Sequence, residues 1–261
     1  MQSMRSFRST RTVARGTALM FATLVLGSAR LSAQALPSPA DVISKHVAAI
    51  GGKAAIEKVT SIRQLAQMEM PAMGITAEAD FAIGAPNRMA TKITIPQMGE
   101  MLTGTDGTIA WSSNPMQGSR LMEGKELEQM REQADLTGSL MFPADRFSSM
   151  TNEGVVDFAG EKAYKIKMVR KGSGNESWQY FSLASGLNIG SESTTTSEMG
   201  TLQTTTIVKD YKDFGGIKFP TRSEANMGPQ AMVITIKDVQ INNVPADAFA
   251  VPAAVQPLIK K

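Results

Sequence analysis

The feature that most restricts the fold is a long series of strand-length runs separated by turn residues, beginning at Ser61 and ending near Ile241. The first runs fall at 61–70, 75–83, 88–95, 98–103 and 108–113. They are bounded by Pro71, Gly74, the Gly84-Ala85-Pro86-Asn87 cluster, Pro96 and Gly104-Thr105-Asp106-Gly107. Asp106-Gly107 suits a tight two-residue hairpin whose central residues both take positive φ. A second series lies at 153–158, 162–171, 176–183, 187–197, 201–211, 217–226 and 230–241. Within it Tyr164, Ile166 and Met168 alternate with Lys165 and Lys167, the period-two pattern of a strand with two unlike faces. The threonines at 194–196 and 204–206 add β-branched residues that suit strands. So many short strands predict a mainly β, α+β domain.

Two segments break the rhythm. Near the start, Ser38 can cap a helix with Pro39 at its first position, and Val42, Ile43, Val47 and Ile50 recur at helical spacing. Gly51-Gly52 interrupts this helix before a short turn over 53–59. In the middle, residues 114–149 lose the β pattern. Glu123 to Ala134 is composed of helix formers with Leu127, Met130 and Ala134 on one face, and a second short helix is expected over 140–147. The tail from Val244 to Pro252 reads as a docking segment anchored by Phe249.

The first 35 residues differ in kind from the rest. Arg5, Arg8, Arg11 and Arg15 precede the apolar run Thr17–Gly27, and Ala33-Gln34-Ala35 offers small residues for a peptidase. That order is the pattern of a cleavable signal peptide, 1–35. The apolar run is shorter than the roughly 20 residues of a membrane span, and no integral span is expected elsewhere. The formal net charge of +3 becomes −2 once the five arginines of this segment are removed. The basic balance of the whole chain is therefore no footprint of nucleic acid. The remainder of the chain, 36–261, is expected to be a single soluble domain, exported, without disulfides because the chain has no cysteine. The missing cysteine also removes the residue that would carry a lipid anchor.

The inventory of reactive side chains argues against an enzyme. There is one histidine, His46, on the first helix. A serine triad would have to use it, and no G-x-S-x-G elbow accompanies it. With one histidine and no cysteine, a His-rich or Cys-ligated zinc site is excluded. No phosphate-binding glycine loop occurs, so no cofactor is expected. The pairs Glu126/Glu128 and Glu153/Asp157 fall on polar faces and single out no acid–base site.

Methionine stands out instead. The chain has 18, of which only Met1, Met4 and Met20 lie in the leader, and most of the others fall between 68 and 150. Methionine fills ordinary cores, and its flexible, polarizable side chain also lines surfaces that accept variable apolar ligands. On the second reading the wall residues are Met68, Met70, Met98, Met101 and Trp111 from the strands. Leu127, Met130, Leu140, Met141 and Phe142 join them from the insertion.

Several stretches, in order, resemble the LolA-like superfamily of periplasmic lipoprotein-sorting proteins. They are Pro86-Asn87-Arg88 at a strand entry, Asp106-Gly107 followed by Trp111 and Pro115, Gly160 to Ile166, Tyr180 to Leu187, and Tyr211 to Pro220 with Asn242 and Phe249 beyond. The resemblance implies an incomplete antiparallel β-barrel: a strongly curved sheet whose N-terminal helix and mid-chain insertion cover an apolar cavity. It implies periplasmic, non-catalytic binding of the acyl chains of lipids or lipoproteins, as carrier or sensor, with inner- or outer-membrane envelope proteins as further partners. It also implies a strand arginine that latches the helical lid, for which Arg63 and Arg88 are the candidates. The alternative from a different class is an envelope protein-binding scaffold with a filled core. A hydrolase would need His46 beside a nucleophile or a clustered acid pair, and ranks last.

Overall fold

A computed structural model describes residues 35–197, 200–228 and 230–259. The expected signal peptide lies outside the described residues, apart from Ala35. The chain from Leu36 onward opens with α1 (Pro39–Ala49) and the short α2 (Lys53–Ile56). Ser38 caps α1 as anticipated: its hydroxyl accepts from the Asp41 amide at 3.2 Å, and the Asp41 carboxylate accepts from the Ser38 amide at 3.2 Å. Gly51 comes next at φ 136°, where a side chain would run into the Gly216 backbone. Only glycine lets the end of α1 dock this closely, and the Ile50 carbonyl accepts from the Lys218 amide at 2.8 Å.

Strands β1 (Ser61–Met70), β2 (Ile75–Gly84), β3 (Arg88–Ile95), β4 (Gly99–Thr105), β5 (Ala110–Asn114) and β6 (Gly118–Met122) then run as a meander. Helices α3 (Gly124–Gln133) and α4 (Leu136–Met141) lead into a second meander. Its strands are β7 (Phe147–Phe158), β8 (Glu161–Arg170), β9 (Glu176–Ser182), β10 (Asn188–Ser197), β11 (Gly200–Phe214), β12 (Ile217–Met227) and β13 (Gln230–Ile241). β13 returns to pair with β1, so both meanders join in one 13-stranded sheet with β6 and β7 at its edges. Every pairing is antiparallel and the two edges do not meet. The result is an incomplete, curved barrel, as expected. The α3–α4 insertion is the stretch of chain that connects one edge to the other.

Three expectations are corrected. The loop after β4 is not a two-residue hairpin: it spans 106–109, and the Asp106 carboxylate accepts from the amides of Thr108 at 2.8 Å and Ile109 at 2.9 Å. That side-chain turn replaces the backbone turn that Asp-Gly would otherwise make. β6 was not foreseen, because five residues with only Leu121 and Met122 apolar carry little periodic signal. Its pairing with β5 holds it, after a turn closed by the Asn114 side chain. The second helix of the insertion lies at 136–141, not 140–147. Asp135 caps it there, accepting from the Gly138 amide at 2.9 Å, and β7 already begins at Phe147.

Alternation along the paired strands separates two faces. The inner face carries the helices. There Ile62, Ile217, Phe219 and Val239 pack with Ile50, Ile56 and Leu136, while Val42 and Ile43 of α1 pack on Phe147, Ile166, Met168 and Phe181. The outer face of β7–β10 has its own cluster, with Phe158 stacked on Tyr180 at 3.8 Å.

Candidate functional site

The inner face holds one further cluster, and it differs from the others. Ala66 and Met68 of β1, Ala77 and Ala79 of β2 and Ile95 of β3 are buried together. Ile93, Met101, Ile234 and Ile236 pack beside them and remain half-buried. All of these residues come from strands; among the described residues no helix contributes to the cluster. An apolar wall is thus left partly open where the neighbouring part of the same face is roofed by α1, α2 and α4. Towards the helices the wall runs into a cleft of about 310 Å3 between β1–β3, β12 and α4. Ile62, Phe81, Ile83, Met89, Leu140 and Phe219 line it, with Gln64, Thr91 and Ser139 as polar members. Its size is at the lower end for a small-molecule site.

The ten anticipated wall residues separate into groups. Met68, Met70 and Met101 share the inner face. Leu140 and Met141 pack on the cluster under α4, and Phe142 packs on that under α1. Met130 is buried and Leu127 half-buried on α3. Met98 lies in the β3–β4 turn and is 47% exposed. Trp111 is buried, but on the outer face. It pairs with Gly104, whose missing side chain makes room for the indole, and Gly104 alternates with Met101. Phe81, Met89, Ile93, Ile234 and Phe219 belong to the inner wall and were not anticipated. Their signal was alternation in register with Met68, which a choice by apolar character alone ignored.

Neither candidate arginine faces the helices. Arg63 lies on the outer face and makes a two-pronged pair with Asp80, at 2.9 Å from Nε and 2.6 Å from Nη2. Arg88 also points outward, over the Phe249 ring at 4.7 Å. The insertion is held by other residues. Arg146 donates from Nε to Asp135 at 2.7 Å, at the cap of α4, and Arg131 of α3 donates to the Thr108 carbonyl at 2.9 Å. A larger cleft, about 470 Å3, opens on the outer face between β1–β5 and the segment Pro245–Pro252. Ala82, Ala90, Leu102, Trp111 and Pro245 line it together with the Arg63–Asp80 pair and Lys92, so its apolar lining is interrupted by charged groups.

No cluster of three or more metal-ligating side chains occurs among the described residues. His46 is buried between Phe142 and Phe181, with ring centroids 5.9 and 5.2 Å away, and burial lowers its pKa from the ordinary 6.5 to about 4. No helix of the described residues is long and apolar enough to cross a membrane.

The architecture is an incomplete antiparallel half-barrel, a fold similar to that of LolA-like proteins of known structure. Solved structures with the same fold include a LolA superfamily protein from Nitrosomonas europaea, at 12% identity and a TM-score of 0.56 over 83% of this chain and 99% of that one. A putative outer membrane lipoprotein-sorting protein domain from Vibrio parahaemolyticus matches at 10% identity and a TM-score of 0.55, over 80% and 95%. A DUF1329 family protein from Desulfovibrio piger matches at 11% and 0.55, over 80% and 95%. No family model and no curated protein matches the sequence.

Proposed function

We propose that this protein binds the acyl chains of a lipid or lipoprotein on the inner face of its half-barrel, without chemistry, in the periplasm after export. The observation that supports it is the sheet-only apolar wall around Met68, whose members Ile93, Met101, Ile234 and Ile236 are left half-buried beside a helix-roofed apolar cleft. Each acyl CH2 that leaves water there contributes about 0.8 kcal/mol before the cost of ordering the chain. The fold shared with a lipoprotein-sorting domain supports the same reading, as do the export pattern of residues 1–35 and a reactive inventory with one buried histidine.

The test is a pair of charge substitutions. Met101→Glu puts a carboxylate on the inner wall and is expected to weaken binding of a fluorescent fatty acid at least about tenfold, with the circular dichroism spectrum unchanged. Met98→Glu, in the exposed turn, is expected to bind as the parent does. Equal binding by both variants would remove the inner wall from the site.

A further inference from the structure

The two halves of the inner face are not chemically alike. Where β1–β3 and β13 present mainly Met, Ile and Ala around Met68, the same face of β10, β11 and the first part of β9 presents hydroxyls and an amide. Strand pairing places Ser177 opposite Ser193 and Ser193 opposite Thr204; Gln179 stands opposite Ser191, and Ser191 opposite Thr206. All six are half-buried. Alternation puts Ser177 and Gln179 on the face of Met168 and Ile166, their partners on β8, which belong to the core beneath α1.

This polar wall borders a cleft of about 240 Å3 on the far side of α4 from the apolar one. Ser139 of α4 lines both clefts, so the two meet at that helix. Besides the serines and Gln179, the cleft contains Asn175, the rings of Phe142 and Phe147, and three charged residues: Arg170 and Glu132, 3.9 Å apart, and Glu176, which pairs with Lys167 at 2.8 Å. Each of these charges already has a partner, so none is left free for a charged headgroup. An anionic headgroup would meet Glu132 and a cationic one Arg170. A neutral group rich in hydroxyls can hydrogen-bond with the uncharged polar side chains present.

Resting on the acyl-chain reading, we infer that the ligand is an amphiphile with an uncharged, polyhydroxylated headgroup, which lies across α4 with its chain on the β1–β3 side and its hydroxyls on the β8–β10 side. A glycerol or sugar headgroup has this chemistry. The proposal separates the protein from a carrier that grips acyl chains alone, since two or three hydrogen bonds at a desolvated headgroup would discriminate between amphiphiles of equal chain length.

The experiment uses three probes with the same dodecyl chain: dodecyl glucoside, laurate and dodecyl phosphate, each below its micelle concentration. Their affinities for the purified protein are measured by calorimetry. The glucoside is expected to bind about tenfold tighter than either anion. The double variant Ser177→Ala, Ser193→Ala is expected to lose that preference while its affinity for laurate stays the same. Equal binding of all three probes, or tightest binding of the phosphate, would overturn the headgroup assignment and leave the acyl site standing. Binding of none would overturn both.

Discussion

His46 is the only histidine of the chain, and its Nδ1 has no hydrogen-bond partner in a site that leaves the residue 4% exposed. Burial is the larger cause of its lowered pKa, with the Gly186 backbone pulling weakly the other way. The neutral ring is therefore the folded form. As pH falls the unfolded chain takes up the proton first, so this group's contribution to stability is full above 6.5, declines between 6.5 and about 4, and is level below. The whole decline amounts to about 3 kcal/mol. Urea unfolding of the parent and of His46→Leu at about pH 7.5 and about pH 4 measures it. The parent is expected to lose about 3 kcal/mol more than the variant over that interval; equal losses would mean that the ring is not buried as described. The same residue shows the limit of composition as a guide. A lone histidine on a helix gives no sign of whether it faces solvent or, as here, two phenylalanines.

At the scale of elements, α4 is a six-residue helix whose position rests on its cap. Asp135 accepts from the Gly138 amide and from Arg146, and Gly138 leaves no room for a side chain beside that carboxylate. Asp135→Ala removes the cap and strips Arg146 of its partner. It is expected to cost about 1–3 kcal/mol and to raise amide hydrogen exchange in 136–141 ahead of the strands. Uniform exchange across the molecule would show that α4 is not an independent cover. The strands were the most legible part of the sequence, because alternation and turn residues coincide along them. Facing was legible too, where pairing was considered. A hairpin loop of two residues or of four pairs odd numbers with even ones across β4 and β5, so Trp111 stands on the face opposite Met101 either way. Grouping residues by apolar character alone placed Trp111 with the methionines. β6 and the start of β7 were hidden for a different reason: their identity as strands comes from the neighbours they pair with, not from their own residues.

For the whole molecule, the order of elements was legible: helix, strands, helical insertion, strands. The closure of β13 on β1 that joins the two meanders rests on contacts between residues far apart in the chain, as between Met68 and Ile234. The division of the inner face into an apolar and a hydroxylated half becomes visible only once that closure fixes which strands lie on which side. If the inner face holds acyl chains, they should travel with the protein through purification. Native mass spectrometry of the protein from a periplasmic extract, followed by extraction and mass analysis of any lipid, looks for them without choosing the ligand in advance. Adducts that release acyl lipid, and that reappear when lipid is added back, are the expected result; a bare mass that takes up neither fatty acid nor glycolipid would contradict acyl binding.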